Sequence, residues 1–236
     1  MVTRIYHGTS GDRKDIILRD GIVPRVDAQS NWSDAPSNCD MVYMSVAYPL
    51  YFAGCVDGDH DHLVLFEIDM AHLHQDRCYP DEDFILQAQC ALPGHDTQQD
   101  IAKNLEDYKD LYAVSVEYLG NMAYSGVIAP TAFTRCVEID ITQRAEILYE
   151  ALQPTITIEN FRFLGKHYQQ LVAWLFGDVP LLPQVVDSQQ FVRQFYKKEG
   201  EAVSPGMDKL RVEAYQRLEY WKAQSKVRTG ITVTEL

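Results

Sequence analysis

Short apolar runs separated by polar turns fill the first 150 residues of the chain, and this pattern predicts a strand-rich region. Helical spacing is confined to brief stretches at 15–18, 48–54 and 98–108. The acidic stretch from 71 to about 99 shows neither the helical period nor the alternation of a strand. The segment 30–38 is rich in Ser, Asn, Asp and Pro, which predicts a loop. The predicted strands are 4–7, 41–44, 63–68, 114–118, 122–128 and 136–139.

The pattern changes near Pro154. Apolar residues from Thr157 to Phe176 recur at helical spacing, and 187–198 and 207–226 repeat that period. The last ten residues alternate apolar and polar side chains, as an edge strand does. The chain is therefore predicted to be an α+β protein with two parts. Residues 1–150 form a strand-rich domain, and residues 151–236 form a mostly helical extension that packs on it or docks a partner or target.

Charge is divided unevenly between these two parts. The chain has 46% hydrophobic and 23% charged residues, an ordinary globular composition, and a formal net charge of −13. Residues 1–150 carry a net charge of −15 and residues 151–236 a net charge of +2. The acidic first part repels a phosphate backbone, which argues against indiscriminate nucleic-acid binding. Readout of a single nucleotide in a pocket stays open.

Cysteine usage and hydropathy predict a cytoplasmic protein without a membrane anchor. The five cysteines are odd in number and show no CxxC spacing, which favours reduced thiols. The longest apolar stretch, near Leu171, is too short to cross a bilayer, and the first residues lack the apolar core of a signal peptide. The acidic turn that holds His60 and His62 lacks EF-hand spacing, and His72 and His74 have no Cys at zinc spacing. No metal site is predicted.

Three segments together resemble the NAD pocket of the ADP-ribosyltransferases. They are Tyr6-His7-Gly8-Thr9-Ser10, Asp20-Gly21-Ile22-Val23-Pro24 and Val42-Tyr43-Met44-Ser45, followed by a stretch of small and aromatic residues at 47–53. The likeness is to the branch that contains the poly(ADP-ribose) polymerases, the tRNA 2′-phosphotransferases and DNA-modifying bacterial toxins. It covers about Arg4 to Asp140. The resemblance implies the split β-sheet core of that family, with the C-terminal helical extension outside it, and NAD as co-substrate.

The resemblance also implies roles for individual residues. His7 would hydrogen-bond a ribose hydroxyl, and the missing side chain of Gly8 would let backbone groups approach the carboxamide. Tyr43 and Tyr51 would enclose the nicotinamide ring by stacking. The hydroxyl groups near the ribose or the carboxamide would be those of Thr9 and Ser45.

The third catalytic position of the family departs from its pattern. The polymerases carry a Glu at the start of a late strand, and aligning the strands places Asn121 there. An Asn side chain can hydrogen-bond a ribose but cannot act as a base. Members without this Glu transfer one ADP-ribose or none, so the resemblance implies mono-ADP-ribosylation at most. Glu117, in the preceding predicted strand, is an alternative acid.

A second candidate acid lies in the run Asp81-Glu82-Asp83, which follows Pro80. Carboxylates held together raise one another's pKa, as a general base requires, and we assign the catalytic role to Glu82. The alternative interpretation is a solvated acidic turn or a helix N-terminus, where Asp and Glu are favoured.

Three functions therefore compete. The first is a mono-ADP-ribosyltransferase that modifies a nucleic-acid or protein acceptor, in the manner of a toxin or phage-defence effector with a neutralising or regulatory protein partner. The second is a non-catalytic module that binds NAD or ADP-ribose, in which Asn121 marks a lost activity. The third is a 2′-phosphotransferase acting on RNA, which needs basic residues around a phosphate, whereas residues 1–150 have ten, dispersed along the chain.

Overall fold

A single antiparallel sheet of seven strands forms the centre of the computed structural model, which describes residues 2–25, 37–58, 61–152, 156–179 and 227–236. The strand order across the sheet is β4-β5-β2-β1-β3-β6-β7. The strands are β1 (Arg4–Ser10), β2 (Met41–Ser45), β3 (His62–Asp69), β4 (Cys78–Pro80), β5 (Asn121–Ser125), β6 (Phe133–Asp140) and β7 (Ile231–Glu235).

The sheet is narrowly joined between β1 and β2. β1 pairs with β3 along its whole length, from Arg4↔Asp69 to Ser10↔Leu63, whereas β1 and β2 share only the pair Tyr6↔Ser45. The prediction of an α+β fold is confirmed. The ADP-ribosyltransferase-like split core is not confirmed, because the described strands form one continuous sheet.

Seven helices surround the sheet in the described residues, and local sequence explains several of their ends. Thr97 and Asp100 form a capping box at the start of α4, and Asp81 caps α3 by accepting a hydrogen bond from the Asp83 N–H. α1 ends at Gly21, whose φ of 86° a residue with a side chain rarely adopts. The helices are α1 (Lys14–Asp20), α2 (Pro49–Cys55), α3 (Glu82–Gln87), α4 (Gln98–Lys103), α5 (Tyr112–Tyr118), α6 (Ala145–Ala151) and α7 (Ile158–Leu175).

Two hydrophobic clusters hold these elements together. The larger one packs α2 and α7 against the central strands, and Phe66, Tyr48 and Trp174 are fully buried within it. The smaller one joins α3, α4 and the 3-10 helix Leu105–Leu111 to the β4–β5 end of the sheet, around Ile85 and Leu119. Both clusters contact the strands that line the cavity described below.

The predicted strand at 114–118 is wrong, because these residues belong to helix α5. Val and Tyr favour strands locally. In the folded chain, however, Ser115, Val116 and Leu119 are buried while Val114 and Tyr118 are exposed, which is a helical period. Tertiary contacts therefore overrode local preference.

The acidic stretch predicted to be irregular contains two regular elements, β4 and α3. The helix predicted at 98–108 ends at Lys103 and is followed by a 3-10 helix, Leu105–Leu111. The strand predicted at 122–128 ends at Ser125, and Ile128 forms an isolated bridge with Ile22. The predictions at 187–198 and 207–226 and most of the loop at 30–38 lie outside the described residues.

Residues beyond 150 share the core and the sheet of the first part. The helix predicted from Thr157 is confirmed as α7, whose Leu171, Val172 and Trp174 are buried in the larger cluster. The edge strand predicted at the C-terminus is confirmed as β7, which pairs with β6 through Val137↔Val233. The domain boundary near residue 150 stays a prediction.

Candidate active site

A cavity of about 590 Å³ opens where β1 and β2 separate. Beyond the pair Tyr6↔Ser45 the two strands no longer share registered residues, and the cavity is lined by His7–Thr9 from β1 and by Met41–Tyr43 from β2. Most of the remaining lining comes from α1 and α2 with their flanking residues, from the junction of β4 with α3, and from the first residue of β5. Ser37, Gln98 and Ile156 complete it among the described residues. A volume of this size suits a ligand larger than a single amino acid.

The imidazole of His7 bridges the gap between the separated strands. Its Nδ1 lies 3.0 Å from the Tyr43 carbonyl oxygen. Because a carbonyl only accepts, Nδ1 donates, and Nε2 of the neutral ring is left as an acceptor. Burial lowers the pKa of His7 from 6.5, and the charge of Arg13 lowers it further. His7 is therefore neutral at pH 7, with a fixed tautomer.

The Glu82 carboxylate is joined to the Tyr43 hydroxyl in the same cavity. Glu82 Oε1 accepts a hydrogen bond from the Tyr43 hydroxyl and another from the Asn38 N–H at 3.0 Å. Glu82 is 1% exposed, yet it lines the cavity. Burial raises its pKa above 4.5, while the bonds from Tyr43 and Asn38 oppose that rise. A carboxylate with a raised pKa and neutral partners suits proton transfer near neutral pH.

The neighbouring acids play different parts. Asp81 is buried, and its carboxylate accepts a hydrogen bond of 2.9 Å from the Asp83 N–H. Burial, Asp83 and Glu82 together hold the pKa of Asp81 well above 3.8. Asp83 is half-buried, and burial raises its pKa as well. All three acids line the cavity. The helix N-terminus that was the alternative interpretation of this run is present, since Asp81 caps α3.

Asn121 is the first residue of β5, as the alignment of strands predicted. It is 2% exposed and lines the cavity, and its Oδ1 has no hydrogen-bond partner among the described residues. Oδ1 is therefore left to accept a hydrogen bond from a ligand or water. Glu117 lies on α5, where it is exposed, and it does not line the cavity.

Thr9 and Tyr51 also lie at the cavity, on β1 and α2 respectively. Thr9 is 2% exposed. The ring of Tyr51 is half-buried and packs edge-on against Phe52, with 5.6 Å between ring centroids. Tyr43 and Tyr51 thus both line the cavity, and their stacking on nicotinamide stays a prediction.

The structure gives Ser45 and Gly8 roles in packing. Ser45 does not line the cavity, and its Oγ accepts hydrogen bonds from the N–H groups of Ala47 and Tyr48 at 3.2 and 2.8 Å. These bonds start the turn into α2, so they do not support a ribose contact. A Cβ at Gly8 would lie 1.8 Å from the Pro49 carbonyl oxygen, so glycine is required for α2 to pack on β1. Gly8 still lines the cavity.

Sequence reasoning missed four residues at the site. Arg13 and Arg25 line the cavity. The sequence signal for them was a basic residue at each end of 13–25, the segment that contains α1. Ser115 is fully buried; its Oγ donates to the Asn121 carbonyl at 2.8 Å and accepts the Asp81 N–H at 3.1 Å. The wrong strand prediction hid this link. Asn38 contributes mainly through its main-chain N–H, for which no sequence signal exists.

The described residues contain no group of three His, Cys, Asp or Glu side chains placed to hold a metal ion. All five cysteines are free thiols. Within the described part of the chain, no helix combines the length and the apolar character needed to cross a bilayer.

Comparison with known proteins gives distant structural likeness and nothing at the level of sequence. No protein-family model and no curated protein matches the chain. EcPltA is similar over 58% of this chain and 75% of its own, with 13% identity and a TM-score of 0.34. Nicked CARDS toxin is similar over 58% of this chain and 25% of its own, with 13% identity and a TM-score of 0.32. Likeness at this level carries no argument about activity, so the case for function rests on the cavity.

Proposed function

We propose that the protein is a mono-ADP-ribosyltransferase that takes NAD as co-substrate and passes ADP-ribose to a macromolecular acceptor. The observation that carries the proposal is the Glu82–Tyr43 hydrogen bond inside a cavity that His7 also lines. These three residues come from α3, β2 and β1. Their meeting in one cavity supplies an acid, an aromatic ring and an oriented imidazole at the same place.

Each of these groups has a task in breaking the nicotinamide–ribose bond. That cleavage supplies the reactive ribose carbon and develops positive charge on it. Tyr43 and Tyr51 hold the leaving ring by stacking, which contributes about 0.5–1.5 kcal/mol per aromatic pair beyond burial. His7 Nε2 accepts a hydrogen bond from a ribose hydroxyl, because Nδ1 already donates to the Tyr43 carbonyl oxygen. In this proposal the Glu82 carboxylate stabilises the developing positive charge.

Glu82 also serves as the base that the acceptor requires. An attacking hydroxyl, amine or amide must lose a proton as its bond to the ribose forms, and a carboxylate of raised pKa takes that proton. Asp81 is less suited, because its carboxylate caps α3 by accepting a hydrogen bond from the Asp83 N–H. Glu82 therefore replaces the acid that the polymerase pattern would have at position 121.

Transfer of a single ADP-ribose follows from Asn121. An amide at the start of β5 hydrogen-bonds a ribose hydroxyl through Oδ1 but cannot take its proton, so a bound ADP-ribose is not activated as the next acceptor. Chain elongation is therefore not part of the proposal.

The decisive experiment incubates the protein with NAD labelled on the adenylate half, together with separate pools of protein, RNA and single-stranded DNA. Nicotinamide release and label in each pool are measured. His7→Ala is compared with His72→Ala, because the His72 Nδ1 also bonds a backbone carbonyl, that of Thr131 at 2.9 Å, but lies outside the cavity. We expect label in one pool, lost in His7→Ala and retained in His72→Ala.

Two results would redirect the proposal. Saturable NAD binding without nicotinamide release, in the presence of every pool, would favour the non-catalytic binding module. Equal turnover by His7→Ala and the parent protein would exclude this cavity as the site of reaction.

The toxin or phage-defence role is tested separately, by inducing the protein in bacterial cells. Growth arrest that His7→Ala relieves and His72→Ala does not would support it. Normal growth with intact NAD turnover in the lysate would remove the toxin role and leave the transferase. If growth arrest is observed, a neutralising partner is sought as a protein that restores growth.

A further inference from the structure

Charged side chains are divided between two walls of the cavity. One wall is the α1 segment, residues 13–25, and its only charged members among the described lining residues are Arg13 and Arg25. The other wall is the junction of β4 with α3, and its charged members are Asp81, Glu82 and Asp83. The cavity is therefore electrically asymmetric, which favours a ligand that carries both signs of charge.

The Arg13 guanidinium is held at the end of β1 near His7. Its Nη2 donates a hydrogen bond of 2.9 Å to the Asp57 carbonyl oxygen. A guanidinium has five N–H donors in a planar fork. The bond to Asp57 uses one of them and orients the group. Arg13 also lies close enough to His7 to lower its pKa, in addition to the larger effect of burial.

The Arg25 guanidinium marks the other end of the same wall. Its Nη2 donates a hydrogen bond of 2.7 Å to the Ser37 hydroxyl, and Ser37 itself lines the cavity. Between the two arginines the wall is aliphatic, with Ile17 and Ile22 buried and Val23 exposed. The two cations thus bracket an apolar surface.

We propose that Arg13 and Arg25 bind the diphosphate of the dinucleotide, so that its positively charged nicotinamide ring faces the acidic wall. This inference rests on the proposed function, and it assigns the direction in which the co-substrate lies in the cavity. A diphosphate carries two negative charges and several acceptor oxygens, which the planar fork of arginine matches. The reverse direction would bring the diphosphate against three carboxyl groups.

Isothermal titration calorimetry with two fragments of the co-substrate tests the proposal. ADP-ribose contains the diphosphate, and nicotinamide riboside contains the ring and its ribose without phosphate. Arg13→Gln and Arg25→Gln are compared with Arg19→Gln, an exposed arginine of α1 that pairs with Asp20 and does not line the cavity. Circular dichroism and thermal unfolding verify that each variant is folded.

We expect each cavity variant to weaken ADP-ribose binding about tenfold, as loss of a hydrogen bond between charged groups does. Nicotinamide riboside should bind the variants as it binds the parent protein, and Arg19→Gln should change neither affinity. The ADP-ribose affinity of the parent protein should also fall more steeply with KCl than that of either variant.

The inference and the proposed function fail in different ways. Nicotinamide release from NAD with no loss of ADP-ribose affinity in Arg13→Gln and Arg25→Gln overturns the inference alone. Equal losses for both fragments overturn it as well, because the arginines would then act on the fold of the cavity. Loss confined to ADP-ribose, in a protein that releases no nicotinamide, supports the inference and overturns the transferase. If neither fragment nor NAD binds, both are overturned.

Discussion

Glu67 and Glu82 are both buried glutamates, and their surroundings differ in one decisive respect. Glu67, on β3, is fully buried, and its carboxylate oxygens accept hydrogen bonds from Arg135 Nε at 3.0 Å and Arg135 Nη2 at 2.5 Å. Arg135 also binds Asp178. Arg4 Nη1 lies 3.4 Å from Glu67 and 3.9 Å from Asp178, so two cations face two carboxylates at this site. Glu82 is equally buried, but the hydrogen bonds to its side chain come from neutral groups, those of Tyr43 and Asn38.

This difference separates a structural carboxylate from a reactive one. The Glu67–Arg135 ion pair joins β3 to β6. Arg135 also binds Asp178, and this bond holds the residues after α7 against the sheet. No salt bridge involves Glu82 in the described part of the chain, and it stands beside two further acids at a cavity. A buried charge without a matched cation is costly to the fold, so its presence at a cavity is typical of a functional group.

The largest expected effect is the loss of catalysis in Glu82→Gln. This change keeps the volume of the side chain and removes the base, so nicotinamide release should fall about 10²- to 10⁴-fold. Glu106→Gln is the matched control, because Glu106 accepts a hydrogen bond from the Tyr79 hydroxyl at 2.6 Å but lies outside the cavity. Full activity in Glu82→Gln would remove Glu82 from the mechanism.

Glu67→Gln should instead destabilise the fold, by about 3 kcal/mol, because it leaves the buried Arg135 without one of its two carboxylates. Urea unfolding measures this loss, while nicotinamide release by the folded fraction should stay near that of the parent protein. A stable Glu67→Gln protein with impaired turnover would contradict the structural role of Glu67 and give it a part in the reaction.

Tyr43→Phe tests how the site tunes its acid. The pKa of Glu82 is raised above 4.5 by burial and held down by the Tyr43 hydroxyl, so activity should increase with pH through a midpoint above 4.5. Removing the hydroxyl raises the pKa of Glu82 further and should move that midpoint to higher pH. Loss of a hydrogen bond to a charged group also predicts a decrease of about tenfold near neutral pH. Tyr79→Phe should leave the pH profile unchanged.

The same contrast should appear in stability against pH. Because Asp81 and Glu82 have raised pKa values, the folded state binds more protons than the unfolded state, so stability should increase as the pH falls from neutral towards 4.5. Arg135 lowers the pKa of Asp178, so stability should be lost as the pH falls below 3.8. Thermal unfolding across this range measures both trends. Glu82→Gln should weaken the rise in stability towards pH 4.5, and Asp178→Asn should weaken the loss of stability below pH 3.8. An unaltered curve in either variant would contradict the role given to that residue.

Ser45→Ala has the smallest expected effect and tests the limit of the family resemblance. Its Oγ accepts two backbone N–H bonds at the turn into α2, so the change should cost about 1–2 kcal/mol of stability. NAD affinity should not change, because Ser45 does not line the cavity. Weaker NAD binding with unchanged stability would return Ser45 to the co-substrate site.

Much of the candidate site could be predicted from sequence because its residues occur in short, ordered motifs. His7, Tyr43 and Asn121 were found at strand positions, and Glu82 was found as an acid within a run of three. Ser115 could not be found, because Val and Tyr around it favour a strand locally while tertiary burial makes the segment a helix. The role of Arg13 and Arg25 could not be predicted from sequence, because it depends on their segment forming one wall of the cavity.

Strong local signals were enough to predict two elements from sequence, the apolar run of β3 and the alternating strand β7. The sequence also determined which chemical groups were available. Which of these groups meet depends on long-range contacts, because β1 and β2 separate after a single pair and open a cavity that the capped end of α3 reaches. The local sequence does not show that Glu67 has a cationic partner and that Glu82 has none among the described residues. Strand pairing brings Arg135 to Glu67.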